Sequence, residues 1–523
     1  MRLVVFQLIS VIFLYLLHMN STVTQPEFSK WRARIWPIHG YEMKKFLPMA
    51  LIMCCVLFNY TVFRNTKDTM IISTAGASTT TFLKLYLVTP AAILFFMLYA
   101  KLNSMFNFEK TFYVISVGFL TYMGLFAFVL HPFIDQIQPS AETVARLNTN
   151  YPALKGFISI YANWLYSSFF VVSELWGSVM LTLMFWGFAN KITKITEAKR
   201  FYGLFVVLSN VALIVCGAVV SFCSSSVLNF LPADASTAVK WQWSLNALVA
   251  VCMLVGVIMM MLFRWMHTNV LNDPKYYEEP KEQKQKKVKP GLMQSLKMVF
   301  TSPELGLIVA LVICYGVTIN LAEVQWKNQI GLHFAGNKNA MNAFMGQYSA
   351  LTGAATMIFA LFFGANIMRA FSWFIAAVFT PAVIIIFGTM FFACIFFKEQ
   401  VGVMFSGLGL SPTYLAVMVG MIVVIMSKAT KYCLFDPTKE MAYIPLDQEL
   451  KTTGKAAVDV AGGRIGKSGG AFTQSTLLMA MGTVNVIDII GIAFAVFFLG
   501  CIIWIYAVKA LSKRILAKQS AAK

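Results

Sequence analysis

About twelve apolar stretches, each near the twenty residues that a helix needs to cross roughly 30 Å of hydrocarbon, leave this chain few folds to choose from. They fall at 46 to 63, 82 to 101, 111 to 131, 163 to 189, 201 to 229 and 242 to 264, then at 304 to 326, 342 to 363, 371 to 397, 411 to 430, 469 to 484 and 487 to 509. The runs are nearly unbroken, unlike the alternating ten-residue strands of an outer-membrane barrel, so the spans are expected to be helices. The 523 residues are 59% hydrophobic and only 12% charged, with a mean hydropathy of +0.71. That composition excludes an ordinary water-soluble enzyme. The fold class expected is an all-α polytopic membrane protein.

The runs divide six and six. We expect a first six-helix half over 30–264, a charged cytoplasmic linker over 265–300, a second half over 301–510 and a basic tail over 511–523. The linker carries EEPKEQKQKKVKP, a flexible and solvated sequence. With the N-terminus in the cytoplasm, about 33 of the 42 Lys and Arg residues fall inside, as the positive-inside rule demands. Both termini are then cytoplasmic, and in a bacterium the membrane is the inner one. The net charge of +20 is thus mostly a topology signal. It is spread over many short loops, so no nucleic-acid partner is expected. Residues 1–29 form an N-terminal extension whose apolar run, 3 to 17, is too short for a comfortable span. We read it as dispensable, with Met19 a candidate start, against the alternative of one more membrane helix.

Nine cysteines are scattered through apolar runs without a CxxC pair, and five histidines are equally dispersed. They give no metal site, no cofactor and no catalytic grouping. AGGRIGKS at 461 to 468 matches a relaxed Walker A pattern, but a P-loop needs a preceding strand and a nucleotide-binding domain. Here the next segment enters the membrane, so a membrane ATPase is only a remote alternative. Flexible glycines beside a lysine at a helix start still suit a phosphate.

The charges that interrupt the apolar runs are costly, at about 2.5 to 3.5 kcal/mol each on insertion scales, and so are functional candidates by default. Two-repeat transporters bind substrate between their halves near the midplane. By fold analogy the first and fourth helices of each half line that path. These helices carry NYTVFRNTKD, SSFFVVSELWGS, INLAEVQWKNQ and SKATKYCLFDP, which present Arg64, Lys67, Glu174, Glu323, Lys428 and Lys431. Arg64 with Asp68, and Glu323 with Lys327, are spaced four apart and could equally be local helix-surface pairs. Lys428 and Lys431 could be topology determinants at a helix end. Glu174 has no basic residue within four positions, so it requires a partner on another helix, a substrate cation or a proton. Lys84, at the start of the second helix, is placed either to snorkel or to line the path.

These blocks, together with FLKLYLV, FWGFAN, KYCLFDPTKEMAYIPLD, GKAAVDV and GKSGGA, resemble in order the ATP:ADP antiporter family of obligate intracellular bacteria and plastids. The resemblance runs from about residue 30 to 510, and FDPTKEMAYIPLD is its most specific part. It implies a twelve-helix, major-facilitator-like carrier that exchanges ADP for ATP by alternating access and is not an enzyme. It also implies critical charges at Lys84, Glu174, Glu323 and Lys467. Asn65, where members often read RDTKD, and the AGG run ahead of Arg464 depart from the family pattern.

The expected partners are ATP, ADP and the bilayer, with the chain monomeric. Arg64, Lys67 and Lys84 would attract the phosphates, while Glu174 and Glu323 would pair with basic groups in the empty carrier. Tyr60 or Trp176 could stack on adenine, although with aromatic residues at 15% of the chain a packing role is the first expectation. A proton-coupled importer, or one for a broader range of nucleotides or NAD, is the alternative within the family.

Overall fold

In a membrane core the backbone must satisfy its own hydrogen bonds, and this chain does so with helices throughout; no strand occurs among the described residues. The computed structural model describes residues 36–232, 234–274, 276–277, 301–447, 450, 455, 458 and 463–521. The extension 1–29 and most of the linker, 278–300, lie outside the described residues. In chain order the long helices are α1 (Gly40–Ala75), α2 (Thr79–Met105), α3 (Phe108–Ile137), α4 (Trp164–Ile192), α5 (Arg200–Phe230) and α6 (Thr237–Leu271). They continue as α7 (Pro303–His333), α8 (Lys338–Met368), α9 (Trp373–Phe396), α10 (Pro412–Ala442), α11 (Gly463–Ala480) and α12 (Ile490–Ala517).

Eleven of these are long and apolar enough to cross a membrane; α11, where the sequence placed a span over 469 to 484, is a helix but too polar to qualify on composition. Several starts carry a capping side chain that accepts from the first turn. Asn107 takes Lys110 N, Ser236 takes Val239 N, Ser302 takes Leu305 N, Asn337 takes Ala340 N and Ser411 takes Tyr414 N.

Helices outrun the apolar stretches that announced them. The sequence reading ends the first span at 63, the seventh at 326 and the tenth at 430, but α1 continues to Ala75, α7 to His333 and α10 to Ala442. Charges that mark a helix end in a simple spanning segment are here folded inward against other helices. Six of these helices loosen into a π-helical turn, which widens the ring of hydrogen bonds and shifts the side chains that follow, and four of the turns pair across the two sets. Those four are Leu83–Val88 in α2, Gly177–Phe185 in α4, Phe359–Gly364 in α8 and Lys431–Phe435 in α10. Offset by six helices, α2 corresponds to α8 and α4 to α10. Further π turns lie in α3 and at the end of α6.

Buried apolar side chains form two clusters. One is built almost entirely from α1–α6 and the other almost entirely from α7–α12. Between the two sets, α5 packs closely along α8. Glycines make that approach possible: a Cβ on Gly217 would lie 2.4 Å from the Gly346 carbonyl oxygen, and one on Gly346 would lie 2.8 Å from the Gly217 oxygen. Beside this seam, Asn65 Nδ2 donates to Ser349 Oγ at 2.9 Å, Thr69 Oγ1 to Asn342 Oδ1 at 3.2 Å, Asn342 Nδ2 to Ser224 Oγ at 3.0 Å and Ser221 Oγ to the Ala343 carbonyl at 3.0 Å.

Side-chain hydrogen bonds that join the two sets lie level with Arg64 or nearer the end where α1 finishes, Asn65 to Ser349, Thr69 to Asn342 and Lys338 to the Tyr166 hydroxyl among them. Toward the opposite end there are ion pairs within a set. Lys45 meets Glu197 at 2.7 Å and Arg200 holds Glu42, while Lys431 meets Asp436 at 2.7 Å.

Candidate functional site

The second half of α1, NYTVFRNTKD, puts Arg64, Lys67 and Asp68 on the side facing α4 and α7. Six charges then form one chain of alternating sign. Arg64 Nη2 lies 3.2 Å from Glu323 Oε1, and the same oxygen is 3.2 Å from Lys327 Nζ. Lys327 Nζ also reaches Asp68 Oδ2 at 2.8 Å. Asp68 Oδ1 accepts from Lys67 Nζ at 2.7 Å, and Lys67 Nζ meets Glu174 Oε1 at 2.9 Å. Lys67, Asp68 and Lys327 have side chains no more than 2% exposed. Charges so deeply buried persist only because each has opposite-sign neighbours. Lys67 also sits 3.8 Å from the centroid of the Phe170 ring, a further stabilising contact for a dehydrated ammonium.

Two more cations stand beside this chain without a carboxylate of their own. Lys84, half-buried in the π turn of α2, makes no ion pair among the described residues. It lies within electrostatic reach of Lys327, Glu323, Glu174 and Lys67. Lys428 donates to the Tyr348 hydroxyl and lies 4.9 Å from that ring's centroid. Arg64, Lys67, Lys84, Lys327 and Lys428 thus outnumber Asp68, Glu174 and Glu323 by two positive charges.

The structure sorts the sequence candidates. Arg64, Lys67, Lys84, Glu174, Glu323 and Lys428 converge. Lys431 faces elsewhere, paired with Asp436 and lying over the Tyr315 and Tyr432 rings. The Lys467 side chain is outside the described part of the structure, although its backbone is in the first turns of α11. Glu174 has its partner on another helix, Lys67 of α1. The local reading of Arg64 with Asp68 is corrected: both are paired across to α7. Glu323 and Lys327 do meet within their own helix, and each also reaches across to α1. Trp176 is fully buried and donates its Nε1 to the Val56 carbonyl, so it packs the core and offers no face to a ligand.

Asp68, Lys327 and Tyr348 are the members that sequence reading did not select. The signal existed, since RxxKD on α1 and ExxWK on α7 carry opposite signs at the same spacing of four. Of AGGRIGKS, residues 463–468 lie in α11, which packs along α7 with Gly466 against Gly316. All nine cysteines are unbridged.

The profile of the TLC ATP/ADP transporter family matches residues 21–515. The chain belongs to that family. It is 43% identical over 512 residues to ADP,ATP carrier protein 1 of Chlamydia pneumoniae, covering 97% of each chain. It is 42% identical over 498 residues to ADP,ATP carrier protein 1 of Rickettsia prowazekii, covering 95% of this chain and 98% of the relative. ADP,ATP carrier protein 3 of Rickettsia bellii is 40% identical over 494 residues, covering 93% and 97%. This member of the TLC family is therefore a multi-pass membrane transporter and not an enzyme.

Proposed function

We propose that this transporter exchanges ATP for ADP across a bacterial inner membrane, with α1–α6 and α7–α12 acting as the two halves of a twelve-span, major-facilitator-like carrier. The observation that carries the reading is the alternating chain of charges at the meeting of the two sets, with two uncompensated cations beside it. A nucleotide polyphosphate supplies the missing negative charge. Its oxygens can replace Glu174, Asp68 or Glu323 against lysine and arginine donors through charge-assisted hydrogen bonds.

The halves correspond to residues 30–264 and 301–510, joined by the linker 265–300, with a basic tail over 511–523; both termini are cytoplasmic and the carrier is a monomer. The bonds between the sets near the far end of α1 support reading this conformer as sealed on the outside, with its site open to the cytoplasm. Phosphates bind among Arg64, Lys67, Lys84, Lys327 and Lys428, and Lys467 joins them from α11. Glu174 and Glu323 hold the basic groups while the site is empty. Reorientation breaks the Asn65, Thr69 and Asn342 hydrogen bonds and opens the other side. Exchange of ATP for an ADP carrying one charge less moves net charge, so membrane potential biases it by about 2.3 kcal/mol per charge per 100 mV.

The test is uptake of radiolabelled ATP by intact cells expressing the full chain, with each unlabelled nucleotide as competitor. Preloading with ADP should accelerate uptake strongly. Equal uptake into empty vesicles driven by a pH gradient would replace exchange by proton coupling.

A further inference from the structure

Two tyrosines flank the charged chain on the side away from the seal. Tyr60 is one helical turn before Arg64 on α1, and Tyr432 is one turn after Lys428 on α10, so each tyrosine shares the face of its cation. Those cations converge, because Lys428 donates to Tyr348 and both lie within electrostatic reach of Glu323. The two rings are thereby brought toward each other from opposite sets, and Tyr432 is within electrostatic reach of the Tyr60 hydroxyl.

Tyr60 is firmly backed: a Cβ on Gly177, at the start of the α4 π turn, would lie 2.4 Å from its ring. Tyr432 is 52% exposed although it stands in mid-helix, with Lys431 Nζ 4.7 Å from its ring centroid. Neither hydroxyl has a hydrogen-bond partner among the described residues. A half-exposed ring with a cation on one side, opposite a braced ring, suits a flat ligand on its other side.

We propose that Tyr60 and Tyr432 clamp the purine base of the nucleotide, one ring from each half of the carrier. This rests on the nucleotide-exchange reading and deepens it. One turn of helix separates each tyrosine from its cation by about 6 Å along the axis, the scale of the ribose between base and first phosphate. Stacking gives the base a place without demanding hydrogen bonds to its edge. Because the rings belong to different halves, both touch the base only when the halves approach, so an occupied base site favours closure on that side.

The test is ligand-induced thermal stabilisation of the purified full chain by ATP and by inorganic tripolyphosphate. Tyr432→Ala should weaken ATP by about tenfold or more, as loss of one base–aromatic stack does, and leave tripolyphosphate unchanged. Tyr432→Phe should keep the preference for ATP. Tyr60→Ala should behave as Tyr432→Ala does, and Tyr432→Leu replaces the alanine variant should that one fail to fold. ATP affinity untouched in the alanine or leucine variants, or lost in parallel with tripolyphosphate, overturns the clamp. A wild-type chain that neither binds nor exchanges ATP instead overturns the nucleotide reading beneath it.

Discussion

Asp68 of α1 and Lys327 of α7 meet at 2.8 Å with both side chains almost wholly buried, and one turn away Arg64 and Glu323 make the same contact with the signs exchanged. The two helices that head the two sets are joined by a ladder in which each rung has its cation on the opposite rail from the next. Lys67 and Glu174 extend the ladder to α4.

Neutralising one rung is predicted to destabilise the fold as well as transport. Asp68→Asn leaves Lys327 with Glu323 alone and Lys67 with Glu174 alone, and removing one partner of a buried pair typically costs about 3–5 kcal/mol. Thermal unfolding of the purified variant should show a large drop, and the exchanged pair Asp68→Lys with Lys327→Asp should recover part of it. An unfolding temperature equal to wild type in Asp68→Asn would falsify the ladder.

Lys84 should behave in the opposite way. It has no carboxylate partner among the described residues, so Lys84→Gln should leave the unfolding temperature close to wild type while weakening ATP roughly tenfold, the scale of one lost charge-assisted hydrogen bond. Competition assays check the second part, and the loss should be greater for ATP than for AMP. A variant with intact affinity removes Lys84 from the phosphate site.

Glu174→Gln is expected to divide affinity from turnover. Without the carboxylate, Lys67 no longer has to be released to accept a phosphate, so the KM for nucleotide should fall by severalfold. The maximal exchange rate should fall too, because product then leaves more slowly. Initial rates over a range of ATP concentrations measure both, and a raised KM would contradict the proposed competition between carboxylate and phosphate.

The seam of α5 and α8 should open during the cycle. Ser221→Cys, in a variant that still exchanges nucleotide, is predicted to resist a membrane-impermeant maleimide in the sealed conformer. It should react faster when ATP and ADP are exchanging, relative to wild type treated alike. Labelling at one constant rate under both conditions rules out movement at this seam.

Much of this was legible in the chain, and the failures share a cause. Apolar runs located eleven helices, because lipid leaves the backbone no other option. The same reading ended α1, α7 and α10 each just before a basic residue, Arg64, Lys327 and Lys431, since a one-dimensional scan cannot tell a charge leaving the membrane from one turned toward another helix. Glu174 was recognisable because nothing nearby could neutralise it. Asp68 and Lys327 were hidden by having local neighbours of opposite sign, which offered a sufficient explanation that the fold does not use for Arg64 and Asp68. Lys431 could not be told from Lys428 in the sequence, because its pairing with Asp436 is visible only in the fold.

The polarity of α11 bears on how the molecule is assembled. Its glycine-rich first half rests on α7, with Gly466 against Gly316, and Gln474 Nε2 donates to Asn320 Oδ1 at 3.0 Å in the buried contact. A segment with so little affinity for lipid gains its place from a groove that α7 already presents. Biogenesis of the second set thus carries an order: α7 must be threaded early, and α11 enters late as the closing piece, so a ribosome stalled before α11 would leave a protein with most of its spans inserted and its central helix uncovered.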